Sequence, residues 1–210
     1  MSNQRPALVC LDMEGVLTPE IWFHVAQKTG IEALRVTTRD EPDYDKLMKG
    51  RIAILKERGL RLSDIQALIR TLKPLDGAAE FLTSLRAQVP VVVLSDTFYP
   101  FVGPLMEQLG FPTLFCNTLE VDAQGVIQGY HLRLPDQKRA SVRALKQLHF
   151  RVIAAGDSYN DATMLTEADP GILFRPPETV AKAFPQFPVT TTYADLEARI
   201  YTLTHAATLV

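Results

Sequence analysis

Apolar runs of strand length recur along this 210-residue chain without the alternation of a half-exposed strand. Ala7–Leu11 (ALVCL), Pro90–Leu94 (PVVVL) and Arg151–Ala155 (RVIAA) are continuous, and a shorter run, Gly171–Phe174 (GILF), follows. Only Thr113–Cys116 (TLFC) departs from this pattern. Continuous runs of this kind mark parallel strands covered on both faces. Helical patterns lie between them: Asp76–Arg86, Tyr99–Leu109, Asp136–His149 and Asp161–Ala168. The second of these has Pro100 in its first turn and Gly110 as its stop. The β-α-β alternation predicts a doubly wound, Rossmann-like α/β fold.

Two segments break the alternation. Val121–Arg133 (VDAQGVIQGYHLR) reads as a small β-hairpin flap with Gly125 and Gly129 as turn residues. Glu20–Leu72 holds no convincing strand but three helical stretches: Glu20–Thr29 stopped by Gly30, Asp43–Arg58 stopped by Gly59, and Ser63–Leu72 stopped before Pro74. The expected organisation is therefore a core of residues 1–17 and 74–210 carrying a helical cap at 18–73. The cap leaves the sheet at the carboxyl end of the first strand, where open α/β sheets bind ligands.

With 47% hydrophobic residues the chain can bury a substantial core. A net charge of −2 offers no footprint for nucleic acid or an anionic membrane surface, so an anionic substrate must be drawn in by a local site. No apolar run approaches the ~18 residues of a membrane span. The first run is broken by Asp12, unlike a signal peptide. Cys10 and Cys116 sit in apolar stretches without metal-ligand spacing, as expected of buried free thiols in a reducing cytoplasm.

The first run stops on two acids one residue apart, Asp12 and Glu14. Carboxylates so close repel and are costly to bury, so something must offset them. Two other strand ends are also polar: Ser95 and Asp96 in VVVLSDTFY, and Asp157, Asn160 and Asp161 in VIAAGDSYND. Phosphoryl transfer through an aspartyl phosphate fits this gathering. A carboxylate can form a covalent phosphoenzyme, and a hard divalent cation offsets the repulsion between acids and phosphate. Mg²⁺ takes oxygen ligands at ~2.0–2.1 Å, few of them protein carboxylates. Asp12, Asp157 and the backbone carbonyl of Glu14 are the expected ligands of one such ion, with Asp12 as nucleophile. Ser95 is expected to hold phosphate oxygens at a helix N-terminus, and Lys138 to neutralise the remaining charge. Glu14 is left to protonate the leaving alkoxide and then to activate water.

DMEGV, LSD, Lys138 and GDSYND, in this order, resemble the haloacid dehalogenase superfamily of phosphohydrolases. The helical insertion after the first motif is similar to the branch with an α-helical cap, which includes phosphoserine phosphatases. The resemblance implies phosphoserine as substrate and Mg²⁺ as cofactor. Most phosphatases of the superfamily carry Asp where this chain has Glu14. That departure, with GVLTPEIW and TTRDEPDYDKLM, resembles members that pass the phosphoryl group to homoserine as well as to water.

A phosphorylated amino acid needs partners for its ammonium and carboxylate. Glu20 and Arg51 are the cap residues that the resemblance assigns to them. Read alone, Glu20 is a first-turn acid and Arg51 a solvated helix position. Asp96, Thr97 and Asn160 join Ser95 and Lys138 as expected substrate contacts. Trp22, Phe23 and Met48 are expected in the cap interior, with Met48 also placed to line a pocket. Tyr159 either shapes the acceptor site or covers its loop. Two alternatives stand beside this reading: a capped phosphatase for a sugar phosphate or nucleotide, and a non-catalytic binding protein. The sequence leaves the oligomeric state open, a homodimer included.

Overall fold

The computed structural model describes residues 5–37, 40–41 and 43–205. Thr38, Arg39 and Pro42 of the TTRDEPDYDKLM stretch lie outside them.

Strands β1 (Ala7–Asp12), β2 (Val91–Phe98), β3 (Thr113–Val121), β4 (Ile127–His131), β5 (Arg151–Gly156), β6 (Gly171–Phe174) and β7 (Val189–Thr190) form one sheet in the order β4-β3-β2-β1-β5-β6-β7. Every neighbouring pair is parallel except β3 with β4. The central strands show why their sequences do not alternate. In β1, Val9 and Leu11 enter one apolar layer while Leu8 and Cys10 enter the other. In β2, Val91 and Val93 join the first layer, and Val92 and Leu94 the second. Both faces are dry, so every position must be apolar.

Helices α1 (Ile21–Thr29), α2 (Tyr44–Glu57) and α3 (Leu62–Ile69) occupy the stretch between β1 and β2, followed by α4 (Ala78–Arg86). Asp43 caps α2 by accepting from the N–H groups of Asp45 and Lys46. Ile21, Val25, Met48, Ile52, Ile65 and Ile69 carry the first apolar layer from the sheet into these helices. The remaining helices are α5 (Tyr99–Gln108), α6 (Gln137–Gln147), α7 (Ala162–Glu167), α8 (Glu178–Ala183) and α9 (Tyr193–His205).

Three details depart from the sequence-based expectation. β2 does not stop at Leu94 but runs on to Phe98 through an irregular stretch. The hairpin turn lies at Asp122–Gly125, where Gly125 N donates to Asp122 O and Gly125 has φ +81°. Gly129 is inside β4, opposite Glu120. The sequence pattern does not predict β7, α8 or α9. A strand of two residues has no measurable period.

Candidate active site

The chain reverses tightly after β1. Gly15 N donates to Thr18 O, and the N–H groups of Leu17 and Thr18 both donate to Met13 O. Gly15 has φ +83°, and a Cβ there would stand 2.4 Å from the carboxyl carbon of Asp157. Only glycine lets this turn lie against the carboxylate. Gly156, at the end of β5, serves Asp161 similarly, since a Cβ there would stand 2.4 Å from its carboxyl carbon.

Asp12, Asp157 and Asp161 each bring one oxygen within 4.8 Å of the others. Lys138, from the first turn of α6, places its ammonium 2.8 Å from Asp12 Oδ1, 2.8 Å from Asp161 Oδ1 and 3.8 Å from Asp96 Oδ2. Asp12 Oδ1 also accepts from Met13 N at 2.7 Å. Asp161 Oδ2 accepts from the N–H groups of Asp157 and Ser158 at 3.0 and 3.1 Å. Asp161 is thus tied to Lys138 through one oxygen and to the loop through the other.

The electrostatics follow from four carboxylates around one ammonium. Burial and the nearby Asp161 hold Asp12 well above the usual carboxylate range, against the pull of Lys138. Burial, then Asp161, raises Asp157 to about 7. Burial alone would depress Lys138, but Asp12, Asp161 and Asp96 outweigh it and keep the ammonium charged. A site whose carboxyls are pushed up by burial and by one another, with an all-oxygen donor set, fits a hard divalent cation.

A cavity of about 460 Å³ opens between the helical stretch and the carboxyl ends of the strands. Glu14, Asp96, Thr97, Tyr159 and Asn160 form the sheet side of its wall, and Glu20, Trp22, Phe23, Tyr44 and Arg51 the helical side. Asp12, Ser95, Lys138 and Asp157 are not wall residues; the 3.8 Å approach of Lys138 to Asp96 links them to it. Glu14 Oε1 accepts from Ile21 N, the first residue of α1, at 2.8 Å. Burial and then Glu20 raise its carboxyl to about 8. Arg51 donates to Val36 O at 2.6 Å and lies over the Trp22 ring at 4.5 Å. Its buried Nε finds no partner among the described residues. Burial lowers its guanidinium to about 10. A groove of about 560 Å³ between α2 and β4 holds none of the expected site residues.

The structure therefore gathers all the expected site residues around the carboxyl ends of β1, β2 and β5, with corrections in detail. Ser95 lies within β2, not at a helix N-terminus, since α5 begins only at Tyr99. Phe23 is 41% exposed and faces the cavity instead of the cap interior. Tyr159 is anchored by its hydroxyl to Thr179 O at 3.1 Å and packs edge-on against Phe184. Asp161 stood in the quoted GDSYND, but nothing in spacing separates an ion-pairing acid from a ligand. Gln137 and Tyr44, which bond to the Ser95–Asp96 backbone, carried no sequence signal at all.

A doubly wound sheet with a buried acid at the end of its first strand and further acids beyond the end of a neighbouring strand is the frame of a class of phosphate-handling hydrolases. The family model for haloacid dehalogenase-like hydrolases matches residues 6–169, and the chain belongs to this family. It is 62% identical over 190 residues to phosphoserine phosphatase ThrH of Pseudomonas aeruginosa, covering 90% of this chain and 93% of that protein. A phosphoserine phosphatase of Pseudomonas syringae is 60% identical, covering 90% of this chain and 80% of the relative. Among solved structures, a substrate-bound phosphoserine phosphatase superposes with TM-score 0.73 at 18% identity over 94% of this chain and 99% of that one. A phospho-aspartyl intermediate analogue of phosphoserine phosphatase gives TM-score 0.72 at 20% identity over 89% and 93%. Both show a shared fold.

Proposed function

We propose that the protein hydrolyses O-phosphoserine to serine and phosphate through a phosphoryl group carried on Asp12. The observation that supports this most is the junction of Asp12 and Lys138 beneath a cavity that also holds Glu14 and Arg51. Both relatives at 60% identity or more are phosphoserine phosphatases by name.

An Asp12 carboxylate oxygen attacks phosphorus, and the bond to the serine oxygen breaks. Met13 N–H and Lys138 fix the carboxylate's orientation before attack. Burial and then Glu20 push the Glu14 carboxyl up to about 8, which favours its protonated form at neutral pH. Its Oε1 accepts from Ile21 N–H, so the proton sits on Oε2 and passes from there to the leaving serine oxygen. Glu14, now a carboxylate, takes a proton from the water that attacks the phosphoaspartate and restores both residues. Asp12, Asp157 and the Glu14 carbonyl would hold Mg²⁺. Bound there, the ion supplies the positive charge that lets carboxylates and a phosphate dianion share the site. Asp161 orients Lys138, and Ser95 Oγ donates to a phosphate oxygen. The unpartnered Nε of Arg51 supports its role in pairing with the substrate carboxylate. Glu20, across the same cavity, faces the substrate ammonium. Asp96, Thr97 and Asn160 complete the wall around the phosphoryl group.

Homoserine is the second acceptor in this reading, its hydroxyl replacing water at the phosphoaspartate. Glu14, where most phosphatases of the superfamily carry Asp, supports it. Purified protein with Mg²⁺ and phosphoserine, with and without homoserine, tests both. Phosphate release is expected alone, and phosphohomoserine when homoserine is present. Hydrolysis of a sugar phosphate or nucleotide in preference to phosphoserine would refute the substrate assignment.

A further inference from the structure

We infer that the carboxamides of Asn117 and Gln137 are positioning groups for the Ser95–Asp96 turn, and so for the phosphoryl group. This rests on the reading that Ser95 contacts that group.

β2 loses its regular register between Leu94 and Phe98. Leu94 pairs with Phe115 and Phe98 with Asn117, so Ser95, Asp96 and Thr97 all stand opposite Cys116. On the other side, the pairing of β2 with β1 ends at Leu94 and Asp12. The bulged stretch therefore leaves the sheet ladder while still among buried residues, where unpaired carbonyls are costly. Side chains take the place of the ladder. Gln137 Nε2 donates to Ser95 O, and to Asp96 Oδ1 at 3.2 Å. Asn117 Nδ2 donates to Asp96 O at 3.0 Å. The Tyr44 hydroxyl, arriving from α2, donates to the same carbonyl at 3.3 Å.

Each carboxamide works in one orientation only, because a flip would set oxygen against a carbonyl oxygen. Arg133 fixes both orientations. Its backbone N–H donates to Asn117 Oδ1 at 3.0 Å, and its Nη2 donates to Gln137 Oε1 at 3.0 Å. The guanidinium is itself held by Ser141 Oγ at 2.5 Å and lies over Phe115. Asn117 is wholly buried and Gln137 nearly so, and buried polar groups this fully satisfied hold one geometry. The product is the placement of Ser95. Its Oγ accepts from Thr97 N at 3.2 Å and retains its own hydrogen as a donor to substrate.

The test uses Asn117→Asp, Gln137→Met and Arg133→Met, with Ser95→Ala for comparison. Asn117→Asp keeps shape but sets an acceptor against Asp96 O. Gln137→Met keeps length without the donor. Arg133→Met leaves the backbone N–H to Asn117 but removes the guanidinium from Gln137, Ser141 and Phe115, at an exposed position. Each is assayed with phosphoserine and nitrophenyl phosphate, for inhibition by inorganic phosphate and by serine, and for melting temperature. The expected result is a loss of kcat of about 10²-fold from displacement of the turn in Asn117→Asp and Gln137→Met. The loss is equal on both substrates and accompanied by weaker phosphate inhibition, with serine inhibition unchanged. Arg133→Met should shift the same readouts in the same direction by a smaller factor. Variants that melt earlier but retain wild-type kcat and phosphate inhibition would overturn the inference while leaving the proposed function standing. If Ser95→Ala also retains wild-type phosphate inhibition, the phosphate role of Ser95 falls and the inference with it.

Discussion

Lys138 Nζ lies equally far, 2.8 Å, from Asp12 on β1 and from Asp161 beyond β5. One ammonium thereby ties two neighbouring strands together at the point where chemistry is proposed. Replacing it with methionine leaves two buried carboxylates uncompensated. Lys138→Met should destabilise the fold by about 3–5 kcal/mol as well as abolish turnover. Adding Asp161→Asn should recover part of that stability but none of the activity. Urea titrations of the single and double variants check the pair; additive losses would show that the ion pair is not the cause.

The metal-free protein carries a pH signature at Asp157. Its folded value of about 7 exceeds the ordinary aspartate value of 3.8. Between these values the folded state holds a proton that the unfolded state has released. Stability from this group is therefore complete below pH 4 and declines as pH rises through about 7. A divalent cation reverses this by favouring the carboxylate. Mg²⁺ should raise the melting temperature of EDTA-stripped protein more at pH 8 than at pH 6. A shift that is equal at both pH values, or absent, would contradict metal binding at Asp157.

Gly15→Ala probes the close approach of the β1 turn to Asp157. A left-handed φ costs a non-glycine residue about 1–2 kcal/mol, and the new methyl must also displace the Asp157 carboxylate. The expected outcome is a modest fall in melting temperature with a large loss of the Mg²⁺-induced increase. An unchanged Mg²⁺ response would show that the turn does not set the carboxylate.

Much of this was legible in the sequence, and the reasons differ by element. β1, β5 and β6 announced themselves because burial on both faces demands unbroken apolar runs. Asp12, Glu14 and Asp157 stood out because charge at the end of such a run is expensive. The irregular end of β2 was hidden because Ser95–Thr97 reads as a loop, and its strand character depends on Asn117 across the gap. Gln137 and Tyr44 were invisible because their bonds go to backbone atoms far away in sequence. Neither residue type nor spacing reports such bonds.

Arg51→Lys keeps a positive charge but loses the guanidinium's stack on Trp22 and its Nε–H. Turnover of phosphoserine, as kcat/KM, should fall by about 10–100-fold, the equivalent of ~1.5–3 kcal/mol for a charge-assisted hydrogen bond. Nitrophenyl phosphate, which has no carboxylate beside its phosphoryl group, should be spared. Equal losses on both substrates would place Arg51 in the fold or at the phosphate.

In the proposed reaction Asp12 carries the phosphoryl group and Glu14 carries the proton. Glu14→Gln separates them. Serine leaves as a poor leaving group and needs the proton, so phosphoserine cleavage should slow by about 10²–10⁴-fold. Nitrophenolate leaves without one, so the first step should survive while hydrolysis of the phosphoenzyme stalls. The direct measurement is rapid mixing of Glu14→Gln with nitrophenyl phosphate and Mg²⁺, followed by acid quench and peptide mass analysis. A burst of nitrophenolate equal to the enzyme concentration is expected, with the phosphoryl group on the peptide containing Asp12. Equal slowing of both substrates, with no burst and no phosphorylated Asp12, would contradict this division between the two acids.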